Sequence, residues 1–247
     1  MSLASTLRDL HVPGKPLVVP NAWDAASARL VEAAGFPAVA TSSNATAAIL
    51  GYDDGEEAPV DAVLAAAAGI ARSVSVPVTV DFERGYRLAP AELVERFTAT
   101  GAVGLNLEDS DPAIGSMVDP AEQADFLAAV RAAAGDALVI NARIDLFIRG
   151  AGDTAAAIDR ATQYLAAGAD CVYPIGVGDL DVIGTLVEGI PGPVNVGYGA
   201  GAHSIADYTA RGVARISFGP MFQRTLYARF AETMLPAVQA DRNPFAG

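Results

Sequence analysis

One phrase recurs along this chain: a helical stretch closes on a glycine and runs straight into a short apolar strand, as in AAGFPAVA, ATGAVGLN, AAGADCVY and ARGVARIS. Gly35, Gly101, Gly168 and Gly212 stand where a helix exits through a left-handed residue. Such a repeat is the trace of rotational symmetry, and it limits the chain to folds that alternate strand and helix. The β-branched runs predict strands over 17–20, 38–41, 76–81, 104–108, 138–143, 171–175, 194–197 and 215–219. Helical spacing predicts helices over 25–34, 60–74, 90–100, 120–134, 154–167, 180–187, 204–210 and 221–239. Strand ends recur roughly every 20 to 40 residues, as a βα unit requires. The strands are apolar runs rather than strict alternations, so both faces are buried. An open doubly wound sheet would need a glycine-rich turn after its first strand, and PNAWDAA has none. With 247 residues and no linker, the reading is α/β: a single (β/α)8 TIM barrel over 1–247, ending in a helical segment over 221–247.

The formal net charge of −13 limits the partners. Nucleic acid and an anionic membrane would both repel the chain, and an anionic substrate needs a locally positive site, most simply a bound cation. Cys171 is the single cysteine, which excludes an intramolecular disulfide and a multi-cysteine zinc site. Residues 1–9 lack the basic-then-apolar order of a signal peptide. The alanine-rich run 62–71 is too short to span a membrane and ends at Arg72. A soluble, cytoplasmic protein is the expectation.

Barrel enzymes place their chemistry at the C-terminal ends of the strands. Here those ends carry Asn21 and Asp24 on the first strand, then Thr41, Ser42, Ser43 and Asn44 on the second, with Asp53 and Asp54 in the loop beyond. The third ends in VDFERGY with Asp81 and Glu83, the fourth in NLED with Glu108 and Asp109, the fifth in NARID with Arg143 and Asp145. The seventh brings Asn195 and the loop YGAGAHS. Asp54, Asp81, Glu83 and Glu108 would face one pocket beside one arginine, and crowded carboxylates need a positive partner. A hard divalent cation is the economical one, with Mg²⁺ retaining several waters. Arg143 offers a bidentate fork to a substrate carboxylate, unless it pairs with Asp145 or Glu108 instead. Ser42, Ser43 and Asn44 offer donors to other substrate oxygens. Any one of these acids, alone, reads as a helix cap or a surface charge. His203 reads as a solvated loop residue, His11 as structural, Cys171 as a small core residue, and Arg84 and Arg87 as solvated charges. The YGAGAHS loop offers backbone N–H groups to a phosphate, an alternative that a glycine-rich loop supports only weakly.

These residues resemble the isocitrate lyase/phosphoenolpyruvate mutase superfamily. VDFERGY is similar to its D-x-D/E-x-G-Y/F metal motif, NLED to its I/L-E-D motif and NARID to its A-R-T/I-D motif. GFPAVATSSNATAAILGYDD resembles the segment with the substrate-binding serine and a further metal-site aspartate. The resemblance runs from Pro20 to Gly219 in order and spacing. It implies a Mg²⁺ site (Mn²⁺ as a substitute) contacted through Asp54, Asp81, Glu83 and Glu108, partly through water. It also implies that Ser42, Ser43, Asn44 and Arg143 hold a 2-oxo-acid carboxylate, and that Asn195 matches an asparagine of lyase members. The chemistry implied makes or breaks a C–C or C–P bond beside a pyruvate-like enolate.

Two departures narrow this. The loop after the fourth strand reads DSDPAIGSMVDP, without the K-K-C-G-H signature of isocitrate-cleaving members or the lysine and asparagine of the mutases. Ile175 stands where the family often has a Glu or His touching substrate. The reading is therefore a Mg²⁺-dependent lyase that cleaves a C–C bond of a small 2-oxo or 2-hydroxy dicarboxylate, by decarboxylation or retro-aldol cleavage, with Arg143, Glu108 and Asp54 as catalytic residues. Tyr52, Tyr198 and His203 are the candidate bases for the retro-aldol route. The alternatives are a phosphonopyruvate-type C–P enzyme and a catalytically silent 2-oxo-acid-binding barrel. A homo-oligomer, dimer or tetramer, is expected, because Met221, Phe222, Leu226, Phe230, Met234 and Leu235 make an apolar stripe on the last helix.

Overall fold

In the computed structural model, which describes residues 2–245, the eight expected strands close into a barrel. Met1, Ala246 and Gly247, the extremes of the 1–247 and 221–247 segments, lie outside the described residues. The strands are β1 (Leu17–Val19) and β2 (Asn21–Ala22), one stave interrupted at Pro20, then β3 (Val39–Thr41), β4 (Val78–Asp81), β5 (Gly104–Glu108), β8 (Val139–Ile144), β9 (Cys171–Pro174), β10 (Asn195–Gly197) and β11 (Arg215–Ser217). Parallel pairing runs β2-β3-β4-β5-β8-β9 and β10-β11-β1, and the bridge Val172↔Val194 joins the two sets. The short β6 (Ser110–Asp111) and β7 (Ser116–Met117) form an antiparallel hairpin above the barrel.

The helices are α1 (Leu3–Asp9), α2 (Ala25–Ala33), α3 (Ser43–Leu50), α4 (Val60–Ala71), α5 (Pro90–Thr98), α6 (Pro120–Ala134), α7 (Thr154–Ala166), α8 (Leu180–Gly189), α9 (Ile205–Ala210), α10 (Met221–Arg229) and α11 (Leu235–Gln239). No helix among the described residues is long and apolar enough to cross a membrane. Their apolar faces pack on the outer faces of the strands, with Phe82, Leu93, Phe97, Leu105, Leu107 and Leu127 fully buried. Each such side chain contributes about 2 kcal/mol through burial.

The inner face of the barrel is graded along its axis. On β5 and β8 the inward pairs run Gly104↔Val139, Asn106↔Asn141 and Glu108↔Arg143 from the N-terminal to the C-terminal end. The lower mouth is apolar: Leu7 of α1 plugs it among Leu17, Val19, Ala38, Ala40 and Val139. Gly104 makes room for that plug, since a Cβ there would sit 2.7 Å from a Leu7 methyl. The middle holds amides, with Asn141 Nδ2 donating to Asn106 Oδ1 at 2.8 Å. The upper end carries most of the charge, and Arg215 is a buried guanidinium lower in the barrel. The same alternation sends Tyr173 of β9 and Ser217 of β11 to the upper layer, above Cys171 and Arg215.

Four elements depart from the sequence expectation. Residues 43–50, expected as substrate-binding loop and connection, are the helix α3, capped by Ser42 Oγ and ended by Gly51 at φ 83°. The loop after the fourth strand holds a hairpin, and α1 precedes the barrel. The single helix expected over 221–239 is broken: Phe230–Met234 widens into a π-turn, with Leu235 N–H donating to Phe230 O, because Pro236 next in line has no N–H to continue the ladder.

Candidate active site

The end of β3 sets the first wall. Ser42 leaves the strand extended and caps α3, so Ser43 opens the helix with its N–H facing β4. That N–H and the Ser43 hydroxyl both donate to Asp81 Oδ2, at 3.2 and 3.1 Å. The positive end of α3 thus faces an aspartate. Asn44 is held by Arg224 of α10, Nη2 to Oδ1 at 3.0 Å, and its amide approaches Asp54 Oδ2 at 3.5 Å.

Beyond β4 the backbone turns through left-handed conformations at Glu83 (φ 48°), Gly85, Tyr86 (φ 55°) and Arg87 (φ 56°), and Glu56 in the facing loop does the same (φ 61°). Such non-glycine residues cost about 1 kcal/mol or more each and persist only where their surroundings fix them. Here the two loops clamp each other. Glu56 N–H donates to Glu83 Oε2 at 2.6 Å, Tyr86 N–H to Glu56 Oε1 at 2.6 Å, and Tyr86 hydroxyl to Glu83 Oε1 at 2.5 Å.

Arg143 stands at the centre, and here the sequence expectation needs correction. Its fork does not face open space: Nε and Nη2 grip Asp145 at 2.7 and 3.0 Å. Nη1 reaches Glu108 Oε2 at 2.7 Å and lies 3.9 Å from Asp81 Oδ1, so this edge is the one turned to the pocket. Asp145 is itself fixed by the Ser110 hydroxyl at 2.6 Å, and its N–H donates to Asp109. Asp109 in turn accepts from Arg160 and Tyr164 at 3.0 and 2.8 Å. The guanidinium is therefore held from below by a buried chain of carboxylates.

The acids do not share one pocket, as expected from sequence, but two adjoining ones. Asn21, Thr41, Ser42, Ser43, Asn44, Asp54, Asp81, Asn106, Arg143 and Tyr173 are among the residues around a cavity of about 240 Å³. Glu83 and Glu108 line a second of about 300 Å³, which shares Ser43, Asp54, Arg143 and Ile148 with the first. Burial raises the Asp54 carboxyl, against the Ser43 hydroxyl, and Asp81 adds to the rise. Burial lifts Glu83 to about 7, opposed by the Tyr86 hydroxyl and reinforced by Asp54 and Asp81. Glu108 is raised by burial, lowered in part by Arg143, and raised again by Asp145, Asp81 and Glu83. Among the described residues no three His, Cys, Asp or Glu side chains converge as a ready-made cage. An oxygen-only donor set, crowded enough to raise its own carboxyls and set in open cavities, fits a hydrated hard cation rather than a closed metal cage.

Asn195 does not line either cavity. It is fully buried one layer down, donating to Ser217 Oγ at 3.2 Å, and it touches the upper site only through that hydroxyl. Tyr52, Tyr198 and His203 lie off both cavities, whereas Tyr173, missed in the sequence reading, lies on the wall. Burial pushes its phenol up to about 12, with Arg143 and Ser217 opposing. Its signal was available in the strand alternation: it points the same way as Cys171, whose buried thiol is likewise pushed up to about 12.

The pattern that defines the phosphoenolpyruvate phosphomutase family matches residues 7–236. A 2-methylisocitrate lyase of Escherichia coli is 30% identical over 208 residues, covering 75% of this chain and 69% of the lyase. An oxaloacetate decarboxylase of Rhodopseudomonas palustris is 29% identical over 211 residues, covering 80% and 71% of the two chains. Among solved structures, a Burkholderia cenocepacia protein provisionally named a phosphonomutase superposes with a TM-score of 0.87 at 39% identity, over 96% of this chain and 98% of its own. The barrel, the strand-end acids and these likenesses agree: the chain is a lyase-type enzyme and belongs to the phosphoenolpyruvate phosphomutase family, within the isocitrate lyase/PEP mutase superfamily.

Proposed function

We propose that this enzyme cleaves a C–C bond of a small 2-oxo or 2-hydroxy dicarboxylate with Mg²⁺, and that decarboxylation of an oxaloacetate-like acid is the reaction its site serves best. The observation that carries this is the crowding of carboxyl groups: Asp54, Asp81, Glu83 and Glu108 line two adjoining cavities whose shared guanidinium, Arg143, is already gripped by Asp145, with Arg149 and Arg224 also on the walls. Those four carboxylates would hold the cation. Bound there, Mg²⁺ or Mn²⁺ supplies a Lewis acid that draws electron density from the 2-oxo group. Ser42, Ser43 and Asn44 at the head of α3, with the Nη1 edge of Arg143, orient the acid's carboxylate. Asn195 supports that floor through Ser217. Tyr173 remains protonated at neutral pH and can donate a hydrogen bond but not act as a base.

The experiment is turnover of oxaloacetate and of a methylmalate-type acid, with millimolar Mg²⁺ and with chelator. Magnesium-dependent release of product supports the reading; no turnover of either acid with Mg²⁺ or Mn²⁺ sinks it. One observation favours a second reading, the silent 2-oxo-acid binder: the β6–β7 hairpin carries no Lys, Cys, His or Asn to move a proton. Binding of the acids without turnover would select it. Turnover of phosphonopyruvate would select the C–P alternative.

The same reading takes the working enzyme to be a homo-oligomer. Phe222, Leu226, Phe230 and Leu235 leave 42%, 53%, 52% and 44% of their surface exposed on α10, the π-turn and α11, more apolar area than a solvated last helix presents. Light scattering that returns a single 25.2 kDa species at micromolar concentration would overturn this part.

A further inference from the structure

One cavity beside the barrel mouth has mostly apolar walls. A space of about 400 Å³ opens between the ends of β9, β10 and β11, walled by Tyr173, Ile175, Val177, Tyr198, Phe218 and Met221. Its aromatic walls are braced: the Tyr198 ring packs on Phe218 at 5.2 Å and on Tyr208 at 6.1 Å. It meets the cavity of Asp81 and Arg143 along Tyr173, Ile175, Gly219 and Pro220. An occupant of the polar cavity thus has apolar space directly beside it.

The YGAGAHS loop borders this space, and the phosphate that such a loop suggests does not suit it. No Lys, Arg or His is among the described residues that line it. The neighbouring α9 is only six residues long, and Ser204 and Asp207 already cap each other there. An anion would lose its water and gain no charge partner, whereas an alkyl or aryl group loses nothing on entry.

We propose that this cavity is a substrate subsite: it receives an alkyl or aryl substituent of several carbons, borne by the 2-oxo acid whose carboxylate end lies at Arg143 and α3. The inference rests on the proposed 2-oxo-acid reading and adds the substrate's far end. Two glycines allow a direct test. Gly178 and Gly199 border the cavity, neither has a positive φ, and a Cβ on either meets nothing within 4 Å. Leucine at either position would therefore fill space without straining the backbone.

The full chain with Mg²⁺ is titrated calorimetrically with pyruvate, 2-oxobutyrate, 2-oxohexanoate and phenylpyruvate, so that binding is read without turnover. Affinity is expected to rise about four-fold per added methylene until the cavity is full. Gly178→Leu and Gly199→Leu should flatten that series, judged as the ratio of each longer acid to pyruvate within the same variant. Pyruvate binding with a flat wild-type series would overturn the subsite and leave the 2-oxo-acid reading standing. A steep series untouched by both leucines would also overturn the subsite, by placing the chain elsewhere. Failure of every acid to bind would overturn the subsite, and the dicarboxylate reading would stand or fall on the oxaloacetate turnover described above.

Discussion

The two ends of this barrel balance charge in opposite ways. At the lower end Asp170 has two guanidiniums to itself: Arg8 Nε donates at 2.7 Å, Arg131 pairs from α6, and Ile140 N–H adds a third donor at 2.8 Å. Each arginine also donates to the carbonyl of Leu138, and Arg131 Nε donates to that of Gly168. At the upper end Asp81, Glu108 and Asp145 all draw on the one guanidinium of Arg143, and Asp54 and Glu83 line the same cavities, with Arg149 and Arg224 on their walls. The lower knot is complete and ties α1 and α6 to the barrel. The upper one crowds carboxyl groups until Asp54, Glu83 and Glu108 hold their protons more tightly, a strain that a bound cation would relieve. Full pairing marks a cluster that holds the fold, and incomplete pairing marks one kept for a ligand.

Breaking the upper cluster should cost activity and not stability. Asp81→Asn is expected to lower Mg²⁺-dependent turnover on the order of a thousand-fold, with an unchanged or higher Tm because one repelling charge is gone. Steady-state kinetics beside thermal melts read both; wild-type turnover in this variant would show that the acids hold no metal.

At the lower end pH should act through His11. Its ring donates from Nδ1 to Leu7 O at 2.8 Å and faces Arg215 at 3.5 Å, and burial first, then Arg215, lowers its pKa from 6.5 to about 4. Between those values the unfolded chain binds the proton and the folded chain does not, so stability falls as pH falls, by about 3 kcal/mol over the window. Urea midpoints from pH 7.5 to 4.5 should slope less in His11→Gln; parallel slopes in both proteins would remove His11 from the account.

Smaller still is the effect expected of Arg143→Lys, about a hundred-fold in kcat/KM, since an ammonium cannot grip Asp145 at two points and reach Glu108 as well. Near-normal kcat/KM would reduce Arg143 to a structural pair. The smallest effect closes the comparison: Asp170→Asn should cost about 2 kcal/mol of stability, measured by chemical denaturation, with kcat/KM per folded molecule unchanged. A loss of activity there would mean the two ends are coupled.

Much of this was legible before the structure. The eight strands follow from β-branched runs closed by glycine, and the acids lie at strand ends because the βα repeat puts those ends on one rim. Which acids share a cavity was not legible, because Glu83 and Tyr86 sit on backbone whose left-handed turns carry no glycine except Gly85 to announce them. The occupied fork of Arg143 depends on Asp145 two residues away, where sequence offers the pair as one option among several. Helix α3 was hidden by its own cap, since Ser42, Ser43 and Asn44 read as a polar loop. Tyr173 was passed over because an aromatic residue in a buried strand ordinarily belongs to the core.

Gly197 has a consequence for how such an enzyme changes over generations. A Cβ there would stand 2.8 Å from the Tyr173 hydroxyl, so the phenol keeps its place on the wall between the polar and apolar cavities by the absence of a methyl group. Glycine and alanine codons differ by one base. A single point mutation at this position would tilt the phenol and redraw the partition between the two cavities, leaving every charged residue of the rim in place. Altered substrate choice then lies one inherited step away, at a site that carries no functional group of its own.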